Sequence, residues 1–137
     1  MNRIAAMLPE YETVMNLYGV GDKIGPQLMA EIGDTRRFHS RKAITAYFGY
    51  DSENDDSGQR QSKSNPITKK GPSALRRTLF TIMLVLIQNQ PADNPVYQFL
   101  DRKRAEGKHY YCYMTAAANK FLRIYYAKVN EVLNQQQ

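Results

Sequence analysis

The chain has 137 residues, 42% of them apolar and 23% charged, enough for one domain with a real core and too ordinary a mixture for wholesale disorder. Its 19 lysines and arginines against 13 acids leave a formal charge of +6, which points to a polyanionic partner or, more blandly, to a solvated basic face. The lone Cys112 excludes a disulfide framework and a cysteine-based zinc site and fits a reducing cytoplasm. The longest apolar run, Ile82 to Ile87, is too short to cross a bilayer, and MNRIAAMLPEYE lacks the apolar core of a signal peptide; these features describe a soluble intracellular domain with no membrane partner.

Strand-like alternation is missing and helical spacing recurs, so the chain reads as an all-α, compact helical domain with a long terminal helix. A short helix ends near Pro9, and a second runs from about Glu10 to Leu17. LYGVGDKIG interrupts, and IGPQLMAEIG forms a helix closed by Gly33. The joint is Gly19-Val20-Gly21, where glycines permit positive φ and close backbone approach. The free N–H groups at the start of the next helix point the same way and suit a DNA or RNA phosphate, with Lys23 at the edge. Residues 10–33 therefore resemble a helix-hairpin-helix; the plainer alternative is a helix–helix turn that needs small residues.

Ser40 is placed to cap a helix over RKAITAYF that stops at Gly49. From Tyr50 to Lys70 no apolar periodicity remains, which predicts one long loop of the kind that usually carries function. Its charges are sorted. Asp51, Glu53, Asp55 and Asp56 come first, then Ser57-Gly58, then Arg60, Lys63, Lys69, Lys70, Arg76 and Arg77 with no acid among them. A serine is a poor nucleophile until something eases removal of its proton. The only histidines, His39 and His109, belong to no triad pattern. Bases around a serine suit phosphoryl transfer instead, where charge stabilisation dominates; composition by itself supports only a loop serine. The acids lack the Gly and terminal Glu of a calcium loop.

Gly71 and Pro72 open the most hydrophobic helix, with Leu75, Leu79, Ile82, Met83 and Leu86 on one face. QPADNP breaks the chain, and a helix from about Pro95 to Glu106 is stopped by Gly107. The last helix carries Met114, Ala117, Ala118, Phe121, Leu122, Tyr125, Val129 and Val132 on one stripe. At its start the tyrosines of HYYCYM, with Tyr125 and Tyr126, could stack on bases. Core packing is the commoner role, with Cys112 a small buried hydrophobe among them.

In order and spacing, LYGVGDKIGPQLMAEIGDTRRFHSRKAITAYFGYD, DSG and ITKKGPSALRRTLF resemble the C-terminal transposase domain of the DEDD-type insertion-sequence transposases and the Piv-like DNA invertases. The resemblance covers nearly all of residues 1–137 as one such domain, with a Ser-Gly basic loop at about 50–71 and C-terminal helices at about 72–134. Two positions depart: Ser52 stands where the family usually has proline, and Pro72 where it has Asn or Ser. The resemblance implies that Ser57 is the catalytic serine that attacks a DNA phosphate, with Gly58 beside it. Lys69, Gly71, Leu75 and Arg76 match the signature beyond that serine. It further implies a RuvC-like N-terminal domain whose four acids bind magnesium, no cofactor in this domain, a structured guide RNA in many members, a homo-oligomeric full-length form, and work at the bacterial nucleoid.

On this reading the chain starts inside the linker helix, as an expressed fragment or a truncated element, and alone binds nucleic acid weakly and catalyses nothing. Nucleic-acid contact is expected from Gly19, Val20, Gly21, Lys23, Arg60, Lys63, Lys69, Lys70, Arg76 and Arg77. A non-catalytic helix-hairpin-helix module is the alternative, and an oligomerisation domain with a merely solvated basic loop is a third.

Overall fold

The computed structural model describes residues 2–48 and 73–135. The expectations for Gly49, the loop from Tyr50 to Lys70, Gly71 and Pro72 lie outside the described residues. Those described contain no strand and form seven α-helices and a 3-10 turn: α1 Asn2–Ala6, α2 Tyr11–Met15, α3 Gly21–Ile32, the turn Thr35–Arg37, α4 Arg41–Tyr47, α5 Ser73–Asn89, α6 Pro95–Ala105 and α7 Tyr110–Gln135. Polar side chains satisfy several of the helix ends, as buried backbone groups require. Ser40 Oγ accepts from the Ala43 N–H at 3.0 Å, as its position predicts. Asn94 Oδ1 does the same for Tyr97 at 2.9 Å, with Pro95 next in line at the first helical position. Each such cap stabilises by about 1 kcal/mol. Arg37 Nη2 donates to the Ile32 carbonyl, the last of α3, at 2.8 Å, and its guanidinium lies over the Phe38 and Tyr47 rings.

α7 is the wall on which α2, the 3-10 turn, α4, α5 and α6 all pack. Met114, Ala117, Ala118, Phe121, Leu122, Tyr125 and Val129 are buried as their spacing predicts, and burial pushes the Tyr125 phenol well above its usual pKa. Leu133, rather than Val132, closes the stripe, and Val132 is half-buried. The reason lies in what covers this end of the helix. Tyr126 Oη donates to the Phe38 carbonyl at 2.9 Å, and the Thr35 hydroxyl donates to Asn130 Oδ1. The cover therefore comes from the side of Tyr126 and Asn130, which Leu133 shares. The five apolar residues expected on one face of α5 are all buried.

The expectation for the start of α7 is corrected. Cys112 is exposed, and so are Tyr110 and Tyr111. α7 enters the core only at Met114; Tyr110 and Tyr111 occupy the first turn, before that point, and Cys112 lies on the side opposite Met114.

The joint between α2 and α3 is pressed against α5. Gly19 has φ +85° and Gly21 φ +69°, backbone that a residue with a side chain adopts only at a cost. A Cβ on Gly19 would lie 3.2 Å from Ile82 Cγ2 and 3.5 Å from the Ile82 carbonyl oxygen, whereas one on Gly21 would meet nothing within 4 Å. Two constraints act on Gly19 and one on Gly21. In urea unfolding, Gly21→Ala is expected to cost about 1–2 kcal/mol for the left-handed backbone. Gly19→Ala is expected to cost about 3 kcal/mol or more, since crowding adds to the same backbone strain; equal costs would mean that Gly19 does not approach α5 closely.

Candidate nucleic-acid interface

α3 and α5 lie antiparallel in contact: Gly19 faces Ile82 and Val85, and a few residues on Gln27 Nε2 donates to Thr78 Oγ1 at 3.3 Å. Between them opens a shallow cleft of about 170 Å³, lined by Ile24 and Gln27 of α3 and by Ala74, Arg77, Thr78 and Thr81 of α5. Lys23 is exposed one helical turn before Gln27, on the same side of α3. Arg77, at the end of the acid-free segment, thus lines the cleft, and Lys23, beside the glycine turn, stands on the helix that forms its other wall. Among the described residues neither pairs with an acid.

The other expected contact residues divide. Val20 is buried, and Gly19 is turned toward α5; of the three joint residues only Gly21 is exposed. It opens α3, together with Asp22 and Lys23, and the N–H groups of this first turn lack intrahelical acceptors. Arg76 is half-buried, and its Nη1 donates to the Phe48 carbonyl at 3.1 Å. That bond joins the end of α4 to the start of α5, the two points at which the chain leaves and re-enters the described fold. Ser57, Arg60, Lys63, Lys69 and Lys70 lie outside the described residues.

Other cations are drawn into the fold. Arg36 forks onto Asp34, with Nη2 2.9 Å from Oδ2, and its hydrogen bonds hold the Asp34 carboxyl below the usual carboxylate range. Arg104 donates to Asp101 at 2.9 Å, which pushes the Arg104 guanidinium up. A second basic concentration surrounds Phe99. Arg102, Lys103 and Lys120 stand 5.2, 5.4 and 5.5 Å from its ring centroid, within reach of its negative face. The first two are legible at i+3 and i+4 from Phe99; Lys120 comes from α7, and no local spacing announces it. Gln27, one turn beyond Lys23, was likewise missed as a lining residue. Among the described residues no three of His, Cys, Asp and Glu stand close enough together to hold a metal ion.

Arg76 and Arg77 make opposite predictions for stability. Removing the Arg76 side chain leaves the Phe48 carbonyl without its charged donor and is expected to cost about 1–3 kcal/mol. Arg77→Ala, at an exposed position, is expected to stay within about 0.5 kcal/mol. Denaturant unfolding of the two variants checks this; a large loss from Arg77→Ala would mean that its guanidinium serves the fold.

Residues 11–98 match the family described as Transposase IS116/IS110/IS902. The chain is similar to the pilin gene-inverting protein of Moraxella bovis, 31% identical over 114 residues, covering 82% of this chain and 34% of that protein. The pilin gene-inverting protein of Moraxella lacunata matches at the same identity and with the same coverage. The chain thus spans about a third of the length of the curated relatives it matches. No solved structure matches it.

Proposed function

The chain belongs to the Transposase IS116/IS110/IS902 family, and from that premise we propose that it supplies the DNA-gripping and strand-attacking part of a DNA recombinase, with Ser57 as nucleophile. The observation that carries the first half is the cleft shared by α3 and α5, which Arg77 lines, with Lys23 exposed one turn before the lining residue Gln27 and neither cation paired with an acid among the described residues. The family match supports the second half, because residues 11–98 span the glycine turn, Ser57 and α5 together. Arg76 supports it too, because its bond to the Phe48 carbonyl holds together the end of α4 and the start of α5, the described elements that flank Ser57 in sequence.

In the proposed reaction the Ser57 hydroxyl loses its proton as its oxygen bonds to phosphorus, the bond from that phosphorus to a deoxyribose oxygen breaks, and that oxygen takes up a proton and leaves as a hydroxyl. The strand stays joined to the serine. Cations beside the phosphate offset charge that grows on its oxygens, the main work in phosphoryl transfer. Lys69 and Lys70 join Lys23 and Arg77 in this role, with Arg60 and Lys63 along the approach. Magnesium belongs to a RuvC-like domain of the DEDD type elsewhere in the full-length protein. A homo-oligomer brings two such sites to the DNA, and a structured guide RNA selects the target. The relatives are named for inverting a pilin gene, so DNA inversion is the rearrangement proposed.

Binding is expected to be electrostatic. Each phosphate that the protein ceases to neutralise lowers the slope of log affinity against log salt by about 0.9 on duplex DNA. Lys23→Ala combined with Arg77→Ala is therefore expected to flatten the slope by nearly twice that amount. An unchanged slope would place the DNA surface elsewhere.

Ser57→Ala in the full-length protein is expected to bind DNA normally and trap no covalent protein–DNA adduct, because no neighbouring group can supply the missing oxygen. Ser62→Ala and Ser64→Ala are the controls. Adduct that survives Ser57→Ala and disappears in either control moves the nucleophile to that serine. Survival in all three removes the serine mechanism and leaves a non-catalytic nucleic-acid-binding module.

A further inference from the structure

The aromatic residues at the start of α7 are not used by the cleft, and their exposure calls for an explanation. Tyr110 is 50% exposed, Tyr111 64% and Leu84 44%, and aromatic surface left in water forgoes the gain from burial. These residues are not scattered. The Tyr111 ring lies 5.8 Å from that of Phe80, tilted by 43°, which places the first turn of α7 against α5. Tyr110 is braced edge-on by Tyr113 at 5.6 Å. On α5, Arg77, Phe80, Thr81 and Leu84 are three and four residues apart and share the side turned from the core. Arg77 thus stands one turn before Phe80, which carries Tyr111, and lines the cleft on its other flank.

We propose that this surface, with Tyr111 and Phe80 at its centre, Leu84 one turn along α5 and Tyr110 at the adjoining end of α7, is a stacking platform for unpaired nucleotides, continuous with the basic face at Arg77. The proposal rests on the DNA-recombination reading and adds to it the state of the nucleic acid, bases freed from a duplex. Charge favours this occupant over a protein. α5 contains no acid, α7 contains none before Glu131, and Lys108 and His109 are exposed just ahead of Tyr110. An apolar protein surface docked here would meet these cations with nothing to compensate them, whereas a nucleic-acid strand brings phosphates for the cations and π-faces for the rings. Braced from one side and open on the other, Tyr111 is held in place before a base arrives, which spares the ordering cost of binding.

The test compares a fluorescein-labelled single-stranded oligonucleotide with a duplex of the same sequence, by anisotropy, using the whole chain. Tyr111→Ala is expected to weaken single-strand binding roughly ten-fold, with duplex affinity and the salt slope held and thermal unfolding unchanged. Tyr111→Phe is expected to restore it, because the ring stacks and the hydroxyl does not. Unchanged single-strand affinity in the Tyr110→Ala, Tyr111→Ala double variant overturns the platform. If Arg77→Ala still weakens binding in that case, the recombination reading survives alone. A wild-type chain that binds neither probe overturns both. A fall in self-association on sedimentation, with nucleic-acid affinity unmoved, makes the patch a contact between copies of the chain and also overturns the proposal.

Discussion

A helix of 26 residues can be buried only along a stripe, and the stripe of α7 is the surface to which most of the fold is fitted. Leu122, Phe121 and Tyr125 are fully or almost fully buried there, each contributing about 1.5–3 kcal/mol through area removed from water. α2, the 3-10 turn, α4, α5 and α6 are held by that one wall. The candidate site depends on it step by step. α7 positions α5, and α5 receives the glycine turn because Gly19 has no side chain to hold it away from Ile82. The turn then aims α3 so that Ile24 and Gln27 stand across the cleft from Arg77, with Lys23 exposed one turn before Gln27. The site is thus a by-product of packing at two successive contacts, α7 on α5 and Gly19 on Ile82.

The same structure sorts the basic residues by what holds them. Arg37 and Arg76 donate to carbonyls at the ends of α3 and α4, where a cation also meets the negative end of the helix dipole. Arg36 and Arg104 are bound to Asp34 and Asp101. Net charge alone would treat all of these as equal attractors for a polyanion. Their partners show that several are occupied in closing the fold, while Lys23 and Arg77 face outward beside hydrogen-bonding groups on Gln27, Thr78 and Thr81.

Much of this was legible in the sequence, and the parts that were not share a physical cause. The buried face of α5, the Ser40 cap and the stop at Gly107 are set by residues within a turn or two of each other, and local spacing reveals them. Gly19 reads equally well as a phosphate-binding turn or a packing turn, because the contact that distinguishes the two is with Ile82, on a helix far along the chain. Leu133 replaced Val132 for a similar reason: the 3-10 turn, far earlier in the sequence, decides which side of α7 is covered. Tyr110, Tyr111 and Cys112 look like core residues by type, and only the point at which α7 enters the core shows that they remain outside. Ser57 rests on the family match, since it lies beyond the described residues.

The most direct test of the central claim, that nucleic acid lies along α3 and the outward side of α5, is a map of amide shifts in the labelled chain as duplex DNA is added. The predicted changes concentrate at Gly21 to Gln27 and at Arg77 to Thr81, on the two walls of the cleft. Changes gathered instead around Arg102, Lys103 and Lys120, with α3 and α5 unmoved, would move the interface to the basic cluster at Phe99 and contradict the account.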